Sequence, residues 1–312
     1  MLLQLNESNI DNNKYKIVDF LQLYNKNDSN IDYSEYYMII SYTDTECIGY
    51  DYFIIKDKEE INKRNLFLSN FKGKKILLIH DIHDYTFRNQ TYDSFKSFCK
   101  QVKIDLVIGN YIFNNESKII EDILLELNIK YCVMPNLIDS DMFKDYNHEK
   151  IYDILIYGCM AECYSFRRRL LNIIKSNKSN WKTRIIYIED KICGEKLSRE
   201  INKSYLCVAC DSIYNYFLMK YIEIPLSNSF LIGSMPMQGN SLFDANSYIH
   251  IDSNMSDEEI INIINISLTD KQRIIENITN FTPKLEFYKR KYYNNYLTLG
   301  IDFLNNKIYN TI

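Results

Sequence analysis

Residues 152–169 read Tyr-Asp-Ile-Leu-Ile-Tyr-Gly-Cys-Met-Ala-Glu-Cys-Tyr-Ser-Phe-Arg-Arg-Arg. Asp153–Gly158 is an apolar run of strand length that ends on a glycine, and helical spacing begins a few residues later, near Phe166. Strand, glycine, short loop and helix in that order form a parallel-sheet unit. The free backbone N–H groups and the dipole of such a helix start favour an anion. Arg167, Arg168 and Arg169 add positive charge there, which makes Gly158 and Arg167 candidate phosphate contacts. The same residues also fit a solvated basic face on an ordinary helix.

The rhythm extends in both directions. Upstream, strands are predicted at Tyr36–Ser41, Asp51–Ile55, Lys75–His80, Asp105–Gly109 and Lys130–Met134, with helical spacing over Lys58–Asn70, Tyr92–Val102 and Glu116–Leu127. Downstream of a polar stretch at Lys144–Lys150, strands are predicted at Thr183–Ile188, Tyr205–Ala209, Phe230–Gly233 and Tyr248–Ile251. Helices are predicted at Phe166–Lys175, Glu195–Lys203, Tyr214 to about Ser227, and Asp257–Leu268. Ser256, followed by three acids, supplies the cap of the last one. The tail from Asp270 reads as helix, interrupted near Thr282-Pro283.

Strands separated by helices of this length imply parallel sheets with right-handed crossovers. The predicted class is α/β: two Rossmann-type parallel-sheet domains, residues 1–143 and 144–285, facing a cleft lined by their strand ends. C-terminal helices over residues 286–312 are expected to pack back on the first domain.

Composition narrows the function. In 312 residues, 46% are hydrophobic and 25% charged, which excludes disordered and fibrous classes. Lys+Arg 37 against Asp+Glu 41 leaves a net charge of -4, so there is no general positive field for nucleic acid or anionic lipid, and a phosphate site must be local. Usage of 27 Tyr beside 8 Gly and 4 Pro reads as AT-rich coding, which discounts single Lys, Asn, Tyr and Ile residues as signals. The start, MLLQLNESNIDNNK, lacks a signal-peptide pattern, and every apolar run is far shorter than the roughly 20 residues of a membrane helix. The expectation is a cytoplasmic protein without a transmembrane segment. Eight cysteines are too sparse for a disulfide scaffold. Cys207 and Cys210 lie in a strand run that points them to opposite faces, so they and the Cys159/Cys163 pair read as packed thiols rather than zinc ligands. No metal site is expected.

A second cluster spans Lys220-Tyr221-Ile222-Glu223-Ile224-Pro225 and continues to Gly233. A carboxylate on a helix just before the next strand can accept hydrogen bonds from two neighbouring hydroxyls, as a ribose offers. Lys220, one turn earlier on the same face, can serve a diphosphate. An exposed helical Lys–Glu pair is the plain alternative.

The segment Lys220–Pro236 resembles the signature of two-domain GT-B glycosyltransferases, in particular the CgeB-like branch related to retaining glycosyltransferase family 4. Glu223 matches the glutamate those enzymes place on the nucleotide ribose, and Lys220 a basic residue of the same motif. Tyr164-Ser165-Phe166-Arg167-Arg168 is similar to the branch's Tyr-Pro-x-Arg-Arg element. Residues 134–143, from Met134-Pro135-Asn136 to Phe143, resemble the Pro-Asn-Gly-x-Asp-x-x-x-Phe stretch before the donor domain. Ser212 joins Gly158, Arg167, Lys220 and Glu223 as a donor-binding candidate. The resemblance covers roughly residues 135–280, with the first half matched by topology alone. Three positions depart from the pattern: Asn215 replaces a first glutamate, Asn228 the glycine after the helix, and Leu137 the linker glycine.

In the first half the densest polar group is His80-Asp81-Ile82-His83-Asp84-Tyr85, holding two of the chain's 4 histidines directly after a strand. His83, supported by Asp81 or Asp84, is suited to an acceptor hydroxyl near neutral pH. Asp81-x-His83 also opens a metallophosphoesterase pattern, and a structural turn is a third possibility.

The resemblance implies transfer of a sugar from a nucleoside diphosphate sugar, with a UDP- or GDP-sugar as donor substrate and no other cofactor, to a hydroxyl on a glycan, protein or small molecule. The alternative is a catalytically inactive nucleotide-sugar-binding or scaffold protein of the same fold.

Overall fold

The structure, a computed structural model, describes residues 17–19, 38–42, 66, 68–70, 74–79, 92–113, 118–133 and 138–288. These fall into two compact units that divide between Pro135 and Asn136. The strand expected at Asp51–Ile55, the His80–Tyr85 cluster and the tail from residue 289 on lie outside the described residues.

The first unit is a five-stranded parallel sheet: β1 Ile17–Asp19, β2 Met38–Tyr42, β3 Lys74–Ile79, β4 Leu106–Gly109 and β5 Lys130–Val133, paired side by side in chain order. β1 has no counterpart in the sequence prediction, being only three residues long. Leu77 pairs with Val107 and Ile108 with Cys132, so apolar residues meet along the central ladder. Two helices follow their predicted spacing: α1 Tyr92–Val102, burying Phe95, Cys99 and Val102, and α2 Lys118–Glu126, burying Ile120, Ile123 and Leu124. At the end of β4, Gly109 leaves room for Tyr131, whose hydroxyl donates to the Tyr111 carbonyl at 2.6 Å. A Cβ at Gly109 would stand 2.1 Å from that phenol oxygen.

The second unit holds β6 Tyr152–Tyr157, β7 Thr183–Ile186, β8 Ser204–Val208, β9 Phe230–Gly233 and β10 Tyr248–His250. Its strand order is β10-β9-β8-β6-β7, and every pairing is parallel. The chain runs from β6 outward to β7, then crosses back to β8, so the order reverses between β6 and β8. In doubly wound sheets, that reversal opens a crevice beyond the strand ends in which ligands bind.

Alternation along the strands feeds two cores. Ile154, Ile156, Leu206, Val208 and Ile232 pack with α3 Ser165–Ser176, α6 Asp257–Thr269 and α7 Lys271–Phe281. Leu155, Tyr157, Cys207, Ala209 and Leu231 pack on the other face, with α4 Gly194–Asn202 and α5 Lys220–Leu226. Burying one such aliphatic side chain is worth about 1.5–3 kcal/mol. Cys207 and Cys210 contribute to opposite cores, as their strand spacing implies. Ile138 and Phe143 are buried in the second unit's core, as are Phe281 and Leu285 from the chain's later part. No helix among the described residues is long and apolar enough to cross a membrane.

Two local features follow from side-chain chemistry. Ser256 Oγ accepts from the Glu259 amide at 3.2 Å while Glu259 accepts from the Ser256 amide at 2.7 Å, a reciprocal cap that starts α6 where the sequence places it. The helix expected from Tyr214 instead begins at Lys220. Asn215 takes a left-handed conformation, φ 54°, which a continuous helix cannot contain, and Tyr216 and Phe217 are buried as loop anchors.

Gly233 closes β9 against the neighbouring strand end. A Cβ there would lie 1.6 Å from the Ala209 carbonyl oxygen, which is main chain and cannot swing aside. Gly233→Ala is expected to lower stability by at least about 2 kcal/mol, as forced overpacking does. Urea unfolding of the variant checks this, and a midpoint equal to that of the parent would contradict it.

Candidate functional site

The reversal between β6 and β8 sets the location, and the residues after each strand furnish it. β6 ends at Tyr157, and Gly158 turns the chain with φ +97°, a conformation that favours glycine. Lys220, the first residue of α5, fills the space a side chain at Gly158 would need. A Cβ there would stand 2.6 Å from Lys220 Nζ and 3.9 Å from Arg167 Nη1. Lys220 Nζ donates to the Tyr157 carbonyl and lies 3.7 Å from the centre of the Tyr157 ring.

Glu223 lies one turn further along α5, on the same face. It is 8% exposed, and its Oε2 accepts from the Tyr157 hydroxyl at 3.0 Å. Among the described residues, Oε1 has no protein donor. Burial raises the Glu223 carboxyl above its ordinary value, opposed by the Tyr157 hydrogen bond and the Lys220 charge. Burial also depresses Lys220, to about 7, and the adjacent Arg167 cation pushes in the same direction. Cys207, beneath the same face, is raised by burial. The Tyr157 phenol is raised well above its ordinary value, by burial first and then by Glu223.

The three arginines at the start of α3 separate. Arg167, 1% exposed, turns inward and donates from Nη1 to the Cys159 carbonyl at 2.9 Å and from Nη2 to the Cys210 carbonyl at 3.0 Å. It thereby ties the loop after β6 to the loop after β8, and its guanidinium stacks 3.9 Å from the Tyr164 ring centre. Its Nε is buried without a hydrogen-bond partner among the described residues. Arg168 is exposed, whereas Arg169 is committed to the start of α6, bonding Asp257 at 2.7 Å and the Ser253 carbonyl at 3.0 Å. The basic run thus divides into one inward cation, one solvated cation and one structural pin. α3 itself starts without a side-chain cap at Tyr164.

The loop after β8 completes the site. Ser212 is buried, and its hydroxyl accepts from the Tyr214 amide at 3.2 Å, so it shapes its own turn. The Ile213 amide donates to the Cys163 carbonyl at 2.9 Å, a second tie between the two loops. Beside it, Ser234 Oγ donates to Asp211, and the Tyr221 hydroxyl donates to the Ser234 carbonyl at 2.7 Å.

Of the candidates read from the sequence, Gly158, Arg167, Lys220 and Glu223 are therefore brought together, with Ser212 on the adjoining loop. His83, Asp81 and Asp84 lie outside the described residues. Sequence reasoning missed Tyr157, although strand alternation places it on the α5 face with Leu155 and could have singled it out. It also missed Lys150, which donates to the Asn202 carbonyl at 2.7 Å and to the Asn228 carbonyl. Asn228, standing where the family resemblance expects glycine, adopts φ 57° and donates to Asp145 at 2.8 Å. It ends α5 in the left-handed conformation glycine would take and adds a side-chain anchor.

No family model matches the chain, and no curated protein sequence does. Solved structures do. Sucrose-phosphate synthase from Thermosynechococcus elongatus superposes with a TM-score of 0.53 at 10% identity, over 92% of this chain and 77% of that one. Anabaena HepE in complex with UDP-glucose gives a TM-score of 0.54 at 10% identity, over 91% and 81%. The pneumococcal O-GlcNAc transferase GtfA in complex with UDP and GlcNAc gives 0.52 at 12% identity, over 86% of this chain but 56% of that one. At such identities the likeness is one of fold, and the chain has the parallel-sheet α/β fold of GT-B glycosyltransferases.

Proposed function

We propose that this chain is a glycosyltransferase that moves a sugar from a nucleoside diphosphate sugar, a UDP- or GDP-sugar, to a hydroxyl on a glycan, protein or small molecule. The observation that carries the reading is the pair Lys220 and Arg167. They are two adjacent cations at a glycine-lined strand end beside the uncapped start of α3, and neither has an ion-pair partner among the described residues. Glu223 offsets part of this charge, and the surplus on two adjacent buried cations favours a bound anion. Glu223 supplies an acceptor suited to a ribose one helical turn away. The GT-B fold and the motifs around Lys220–Pro236 support placement in the CgeB-like branch related to family 4.

In the proposed reaction, the bond from the anomeric carbon to the diphosphate oxygen breaks, and the acceptor oxygen bonds to that carbon while its proton passes to a base. Charge building on the departing diphosphate is met by Lys220 and by main-chain N–H groups of the loops that Arg167 holds, so no metal is needed in this reading. His83, supported by Asp81 or Asp84, is the group proposed for the acceptor. Asn215, in place of the family's first glutamate and held in a left-handed turn, favours a second reading: a nucleotide-sugar-binding protein without transferase activity. Transfer or hydrolysis from a panel of donors, compared with binding alone, separates the two.

Three outcomes are expected. Glu223→Ala should weaken binding of both uridine and UDP-glucose by about 1–3 kcal/mol, the loss typical of charged hydrogen bonds; unchanged titration calorimetry of a folded variant would refute this. Burial lowers the Lys220 pKa to about 7, and the amine must be protonated to meet a diphosphate. A bound anion raises its pKa, so binding takes up a proton above that pH. UDP-glucose affinity should therefore fall as pH rises above about 7, by up to about tenfold per unit. Lys220→Met should abolish that slope, and a slope retained in the variant would assign it elsewhere. His83→Ala should reduce turnover while leaving UDP affinity intact, and full turnover would remove the residue from the mechanism.

A further inference from the structure

Tyr157 contacts both members of the Lys220–Glu223 pair. Its carbonyl and ring hold Lys220, and its hydroxyl holds Glu223 Oε2 at 3.0 Å. The phenol is buried, 4% exposed, and it ends β6 directly before the turn at Gly158. A carboxylate on a short helix has two rotatable bonds before its carboxyl torsion. Among the described residues the Tyr157 hydroxyl supplies the hydrogen bond to this carboxylate, and Oε1 has no protein donor. We infer that Tyr157 is a positioning residue, holding the Glu223 carboxylate by one oxygen so that the other is presented to the two hydroxyls of a nucleoside ribose. This inference rests on the donor-site reading above and deepens it, because it names the group that makes the ribose contact geometrically defined.

The chemistry supports a readable consequence. The groups facing Glu223 are Tyr157 from β6, Lys220 from its own helix and Cys207 from β8, with Arg167 from α3 acting on both Tyr157 and Lys220. Burial pushes the Glu223 carboxyl up, and the Tyr157 hydrogen bond is the strongest influence holding it down. Without that hydroxyl, Glu223 takes a proton at higher pH, and a protonated carboxyl accepts a diol poorly. The acid limb of nucleoside binding should then move to higher pH.

The test is Tyr157→Phe, which keeps the ring beneath Lys220 and the carbonyl that Lys220 bonds and removes only one oxygen. Uridine and UDP-glucose should both lose about tenfold in affinity, and the acid limb of uridine binding should move upward. In a Glu223→Ala background the same substitution should cost nothing, because its effect passes through the carboxylate. A carbon-13 titration of the Glu223 carboxyl in the unliganded protein should show the same upward displacement. Wild-type affinity and an unmoved acid limb in Tyr157→Phe would overturn the inference, as would an equal loss in the Glu223→Ala background. If the parent protein bound neither uridine nor UDP-glucose, the donor-site reading would fall. The carboxyl titration would still decide whether Tyr157 controls Glu223, so the two failures are distinguishable. Should Tyr157→Phe not fold, Glu223→Gln carries the pH test: it should abolish the acid limb in a protein whose Tyr157 is intact, and a retained limb would overturn the assignment.

Discussion

Lys220 and a side chain at position 158 compete for the same space, and this exclusion organises the strand ends of the second unit. Because position 158 is a glycine at φ +97°, the Lys220 ammonium can lie against the end of β6 and bond the Tyr157 carbonyl. That places it next to Arg167, whose guanidinium bonds the Cys159 and Cys210 carbonyls and so draws the loops after β6 and β8 together. The depressed Lys220 pKa follows first from burial and then from repulsion by the neighbouring Arg167 cation.

The doubly wound sheet makes the exclusion possible. Strands β6 and β8 are adjacent, but their helices leave in opposite directions, α3 to one face and α5 to the other. The crevice between the departing chains therefore receives the start of α3 from one side and the Lys220/Glu223 face of α5 from the other. The first unit, whose described strands pair in simple chain order, has no such reversal among them. The difference goes with the clustering of Gly158, Arg167, Lys220 and Glu223 at the strand ends of the second unit.

Much of this was legible from residues alone where local rules dominate. Alternating strands and helices between Tyr152 and Thr269 emerged with their ends shifted by a residue or two, the start of α5 apart, and the Ser256 cap was predictable because a cap is a contact between residues three apart. The glycine at 158 and the Lys–Glu pair in α5 were likewise visible, one as a strand terminator and the other as a helical repeat. The helix start at Lys220 was not, because the left-handed Asn215 is stabilised by burial of Tyr216 and Phe217 in a core the chain assembles from distant segments.

The sequence by itself therefore determined the α/β class, the second unit's sheet and the identity of the charged residues, since each depends on periodicity or near-neighbour chemistry. Only the tertiary structure decided what those charges do. Three consecutive arginines look equivalent along the chain, yet Arg167 turns inward to the Cys159 carbonyl and to the Cys210 carbonyl 43 positions later than itself, Arg168 faces solvent and Arg169 pins Asp257. Likewise Tyr157, unremarked as the last residue of an apolar strand, acquires its role from Glu223, 66 positions later. The physical reason is that hydrogen bonds and burial are set by distances in space. Those distances follow from how β6, β8 and α5 cross, which no local pattern encodes.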